Sequence, residues 1–125
     1  MKIVDANVIL RYLLNDDQDL AQQAIKIIEE NSVYIPTEVL SKVIFLLEKV
    51  YQVDREATCE ALLKLASYDN VSFMDKKLVY SVLEYYGKNE LDFVDALLYG
   101  YSKAKNIQVI TFDTRLQLLI AGQEQ

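Results

Sequence analysis

The feature that most constrains this chain is a regular alternation of short β-branched runs with longer stretches of helical periodicity. Residues 2–4, 33–35, 71–73 and 107–110 read as strands, the last of them being the most regular. The intervals between them read as helices. Residues 6–14 close at Asn15-Asp16-Asp17, and residues 17–31 place Leu20, Ala21, Ala24, Ile27 and Ile28 on one face. Pro36 opens a helix that runs to Val50. Residues 54–66 follow, with Asp54 as N-cap and Ala57, Ala61, Leu62 and Leu65 as the buried stripe. Residues 75–86 are helical up to a stop at Gly87-Lys88-Asn89, and residues 92–105 and 114–120 complete the set. Strands separated by helices pair in parallel through right-handed crossovers, so the expected class is an α/β sandwich. With one Pro, three Gly, no internal repeat and no linker-like tract, the 125 residues form a single domain.

Composition narrows the chemistry by what is missing. The chain has no His, which removes Ser-His-Asp and Cys-His nucleophiles, a His general base and every His-ligated metal site. Its lone cysteine, Cys59, can form neither an internal disulfide nor a multi-Cys metal site. Thirteen Lys and Arg against 19 Asp and Glu give a net charge of −6, which argues against a basic nucleic-acid clamp. No run approaches the ~20 apolar residues of a membrane span, and the opening MKIVDANVIL carries an Asp and no small-residue cleavage site. The expected location is the cytoplasm.

In open parallel sheets, ligands bind beyond the carboxyl ends of the strands. Asp5 directly follows the first expected strand, and Asp113 follows the last after Thr111 and Phe112. Asp92 and Asp95 stand three apart at a helix start, which puts them on one face with Ala96 and Tyr99, while Phe93, Leu97, Gly100 and Ala104 form the packed side. Each of these Asp residues also suits a helix cap or a turn. Gathered together they repel one another unless a cation intervenes, and a set of hard oxygens without His or Cys selects Mg²⁺, with Mn²⁺ as a substitute.

Four segments carry a family likeness: IVDANVILRYLL (3–14), IPTEVLSKVIFLLEKVYQVDR (35–55), LDFVDALLYGYSK (91–103) and VITFDTRL (109–116). In order and spacing the chain resembles a PIN-domain ribonuclease of the VapC type, the toxic half of a toxin–antitoxin pair. The resemblance implies a three-layer α/β/α fold with a central parallel sheet and a metal-dependent endoribonuclease. It makes Asp5, Asp95 and Asp113 the catalytic metal ligands, with Asp92 at an additional acidic position and Asn7 and Thr111 orienting the ligands.

One position departs from that pattern. Lys42 stands where the family carries a metal-binding Glu, a difference of two charge units; the Glu-bearing chain would carry −8. The expectation is an impaired nuclease in which Lys42 sits in the acidic pocket and neutralises it. Glu38, four residues earlier, could pair with Lys42 or supply a carboxylate in its place. On the wheel, Val39, Leu40, Val43, Ile44 and Leu47 form the buried side and Glu38, Lys42, Phe45 and Lys49 the opposite one; an aromatic on that polar side suggests a partner-facing surface.

Arg11, Arg115, Lys103 and Lys105 are the cations expected to flank the carboxylates, with Arg11 and Arg115 foremost as phosphate contacts. Tyr85, Tyr86, Tyr99 and Tyr101 could stack bases, serve an interface or pack in the core. The resemblance further implies an RNA substrate, a homodimer and a groove that takes an antitoxin helix, for which Leu13, Leu14 and the aliphatic face of residues 36–50 are the candidates. Two other readings compete. One is a catalytically inactive PIN module that keeps the antitoxin and dimer surfaces. The other is a haloacid-dehalogenase-type phosphotransferase with Asp5 as nucleophile, which is weakened by Asn7 standing where that family has a second Asp.

Overall fold

Aspartate starts most of the helices. In the computed structural model, which describes residues 1–122, Asp5, Asp17, Asp54, Asp75, Asp92 and Asp113 are N-caps whose carboxylates accept from the amides of Val8, Leu20, Ala57, Leu78, Asp95 and Leu116. Each such cap satisfies an otherwise orphaned N–H and is worth about 1 kcal/mol. The helices they open are α1 (Ala6–Leu14), α2 (Gln18–Glu29), α4 (Arg55–Ala66), α5 (Lys76–Lys88), α6 (Phe93–Lys105) and α7 (Thr114–Ile120). Helix α3 (Thr37–Lys49) instead follows Pro36, whose fixed φ suits a helix entry but which offers no side-chain cap. Asn15 and Asn106 close α1 and α6 in the left-handed region, at φ 52 and 54°.

The strands are β1 (Lys2–Ile3), β2 (Val33–Tyr34) and β3 (Val71–Ser72), all parallel in the order β1-β2-β3. Lys2 pairs with Val33 and Val33 with Val71. The Ile35 amide, which donates to Ser72 O at 2.9 Å, extends the β2–β3 pairing by a residue. Helices α1 and α2 cross from β1 to β2, and α3 and α4 from β2 to β3, as parallel pairing demands. The architecture is α/β with an open parallel sheet, consistent with the three-layer α/β/α arrangement. Val33, Ile35 and Val71 meet Ile9, Leu10 and Leu62 in one apolar core.

The fourth expected strand does not form. Residues 107–110 lie outside the sheet, with Ile110 84% and Phe112 99% exposed. Both ends of this segment are committed elsewhere: the Ile107 amide turns back to Tyr101 O at the end of α6, and Thr111 O accepts from Gln117 Nε2 of α7 at 2.6 Å. Asp113 therefore stands at the head of a helix rather than at the end of a strand.

Smaller departures concern helix faces. On α4 the buried side is Thr58, Cys59, Leu62, Leu65 and Ala66, while Ala57 is exposed and Ala61 half-buried, because the helix packs on α5 through the side bearing Cys59. On α6, Ala96 joins Phe93 and Gly100 inside instead of facing out with the carboxylates, and Ala104 is exposed. Leu20, expected inside, is largely exposed beside the groove between α1 and α2. Gly87 continues α5 rather than ending it; a Cβ there would lie 3.3 Å from that of Cys59, so its smallness serves the close approach of α4.

Candidate functional site

The acidic site is built by two helix starts. Asp92 accepts from the Asp95 amide at 2.8 Å, which fixes the first turn of α6 and sets the Asp95 side chain beside its own cap. Asp113 accepts from the Leu116 amide at 2.8 Å at the head of α7, which packs on α6. Thr111 Oγ1 accepts from the Asp113 amide at 3.0 Å and so orders the backbone that carries that carboxylate.

Asp95 registers the company it keeps. Burial, then the charge of Asp92, then that of Asp113 raise its carboxyl above the ordinary carboxylate range. Three of the four expected carboxylates therefore share one electrostatic neighbourhood. The fourth, Asp5, is exposed at the head of α1, where it accepts from the Val8 amide at 3.3 Å. All four offer only hard oxygens, which suits Mg²⁺ or Mn²⁺ in chemistry. Their placement does not complete a cage: among the described residues, no three acidic or sulfur side chains are gathered closely enough to hold a metal ion.

Lys42 lies on the exposed face of α3 with Glu38, Phe45 and Lys49, opposite the buried Leu40, Val43, Ile44 and Leu47. The ion pairs among the described residues are Arg11–Asp16, Arg55–Glu48 and Lys105–Asp75. Lys42 is thus bound neither to Glu38 nor to any of the four aspartates. The internal neutralisation expected from the sequence is not made through a direct pair.

The expected phosphate-binding cations are engaged in structure. Arg11 holds Asp16 at 3.0 Å and donates to the Tyr51 hydroxyl at 2.7 Å. Arg115 donates to Glu90 O at 2.9 Å, two residues before Asp92. Lys103 donates to Ile120 O, and Lys105 pairs with Asp75. Those two lysines stand eight and ten residues beyond Asp95, roughly 12–15 Å along the helix axis, too far to flank the carboxylates.

The tyrosines are largely taken up by packing. Tyr85 and Tyr99 stack with ring centres 4.4 Å apart, while Tyr86 is buried against Phe93 and donates to Glu48 at 2.7 Å. Burial and that carboxylate push the Tyr86 hydroxyl well above its ordinary range. Tyr101 is half-buried against the core.

The aliphatic face of α3 is core and cannot line an open groove. A cavity of about 500 Å³ instead opens between α1 and α2, lined by Asn7, Val8, Arg11, Leu20, Gln23, Ala24 and Ile27. Asn7, expected beside the metal ligands, borders this cavity. Leu13 lines a separate hollow of about 300 Å³ between α1, α2 and α4. Sequence reasoning passed over Arg55, whose guanidinium reaches two backbone carbonyls in the segment before Asp92. Its only local signal was a place just after a capping Asp.

The profile of the PIN domain family matches residues 2–120, so the chain belongs to the PIN domain family. PIN domains are generally metal-dependent nucleases, and the chain has their fold. No curated protein and no solved structure matches it. Among the described residues, no helix is long and apolar enough to cross a membrane.

Proposed function

We propose that this PIN domain is a ribonuclease of the VapC toxin type that hydrolyses RNA phosphodiesters with Mg²⁺, or Mn²⁺ in its place, at a strongly attenuated rate. The observation that carries the reading is Asp95, half-buried at a helix start and raised in proton affinity first by that burial and then by the charges of Asp92 and Asp113. Asp95 does not cap the helix, since Asp92 does, and perturbed carboxyl groups concentrate at functional sites. Attenuation follows from Lys42, which brings a positive charge where the family has a negative one.

In this reading the cavity between α1 and α2 receives an apolar helix of the cognate antitoxin, the domain pairs with a second copy, and it works in the cytoplasm. The cavity's apolar floor of Val8, Ala24 and Ile27 suits a helix-in-groove partner. Incubation of the chain with single-stranded RNA and Mn²⁺ tests the proposal. Slow cleavage is expected that chelation stops and Asp95→Asn abolishes; cleavage that survives Asp95→Asn would overturn it.

The incomplete gathering of carboxylates favours a second reading, a non-catalytic PIN module that keeps the antitoxin and dimer surfaces. Calorimetric titration with Mn²⁺ separates the two: saturable binding supports the nuclease, and none at millimolar metal supports the module.

A further inference from the structure

Residues 89–91 join α5 to α6 and end on Asp92, so their backbone decides where the head of α6 points. All three of their carbonyls accept from arginine. Arg55, the first residue of α4, donates from Nη1 to Asn89 O at 2.6 Å and to Leu91 O at 2.8 Å. Arg115 donates from Nη1 to Glu90 O at 2.9 Å. Arg55 is itself held fast: its guanidinium lies 3.9 Å from the centre of the Tyr86 ring, and its Nε is 3.7 Å from Glu48 of α3. The second Glu48 oxygen accepts from the Tyr86 hydroxyl. Arg115 follows Asp113 by two residues, on the helix that Asp113 caps.

The segment before Asp92 is therefore tied on one side to α3, α4 and α5 and on the other to the helix that carries Asp113. We propose that Arg55 and Arg115 form a clamp on residues 89–91 that sets the separation of Asp92 and Asp95 from Asp113. Both act as positioning residues, and their importance for cleavage rests on the nuclease reading of those carboxylates. Three like charges drive the two helix heads apart. Charge-assisted bonds from guanidinium to carbonyl resist that drift without occupying the carboxylates. A guanidinium can hold two carbonyls while stacking on an aromatic ring, which an ammonium cannot reproduce.

The first arm of the test is amide hydrogen exchange on the full chain. Asp95 and Leu116 report the caps on α6 and α7, with Val8 and Leu20 as controls on α1 and α2. Arg115→Ala should speed exchange tenfold or more at both Asp95 and Leu116, and Arg55→Ala at Asp95, with both controls unchanged. Arg55→Lys, the milder variant should Arg55→Ala fail to fold, should speed Asp95 by a smaller factor. Unchanged exchange at Asp95 and Leu116, or equal acceleration at all four amides, would overturn the clamp.

The second arm measures RNA cleavage with Mn²⁺ in a Lys42→Glu background. Each alanine variant should lower kcat at least tenfold at constant KM. A raised KM with kcat retained would assign Arg115 to a phosphate contact and overturn its positioning role. Should the Lys42→Glu chain cleave nothing, the nuclease reading fails, and the exchange arm alone decides the clamp.

Discussion

Residues 33–35 and residues 107–110 carry nearly the same β-branched chemistry and meet opposite fates. The first segment lies between two parallel neighbours with Ile35 only 1% exposed; the second runs along the surface with Ile110 84% exposed. The difference lies in their surroundings. Residues 33–35 sit between α2 and α3, whose crossovers deliver them to β1 and β3 and cover their side chains. Residues 107–110 join two helices whose ends already occupy the adjoining backbone groups, through Tyr101 O and Thr111 O. Strand propensity describes a fit to a half-buried pleated surface and does not create that surface.

The largest expected effect separates these two segments. Ile35→Ala should cost about 2–5 kcal/mol in urea unfolding, as buried large-to-small changes do, whereas Ile110→Ala should stay within about 0.5 kcal/mol of the parent. Equal losses would place residues 107–110 inside the sheet in solution and erase the comparison. Next in size is Gly100→Ala on the packed side of α6. The added Cβ would stand 2.6 Å from Val82 Cγ2, and overpacking of this kind costs about 1–3 kcal/mol. A thermal melt that leaves Gly100→Ala unchanged would show the α5–α6 contact to be looser than described.

Helix caps give the next contrast. Asp17→Ala removes a cap with no acidic cluster around it and should cost about 1 kcal/mol. Asp92→Ala removes the same kind of bond but also relieves Asp95, so its loss should be smaller. An equal or greater loss at Asp92, measured by chemical denaturation at neutral pH, would mean that the carboxylates do not feel each other.

The smallest effects are those of pH. Asp95 binds its proton more tightly in the folded chain, so its contribution favours the fold in acid and is lost as pH rises through the raised value. Asp95→Asn should therefore stabilise the chain at neutral pH, with the gain vanishing in acid. Asp75 has the opposite sign. Lys105 and the Leu78 amide hold its carboxyl below the ordinary range, so its contribution is present above the unfolded value and disappears as pH falls through the lowered one. Parallel pH profiles of stability for Asp95→Asn and Asp75→Asn would contradict both assignments.

Much of this organisation is legible in the sequence because its causes are local. Helix starts follow from Asp side chains that cap within three residues, and the buried face of α3 follows from apolar spacing. Residues 107–110 mislead because a strand needs a neighbour that no window of sequence contains. The four aspartates are equally visible, but that the charge of Asp113 bears on Asp95 follows from the packing of α6 on α7, which no local pattern announces. Arg55 escapes notice because its partners are carbonyls 34 and 36 residues away, and backbone acceptors leave no residue-type signature.

Position 42 bears the central claim that this PIN domain is a nuclease attenuated by one basic side chain. The direct measurement is the rate of RNA cleavage with Mn²⁺ by the chain and by its Lys42→Glu variant under identical conditions. At least a tenfold faster rate is expected for the variant, abolished by adding Asp95→Asn. Equal rates for the chain and its Lys42→Glu variant would contradict the claim.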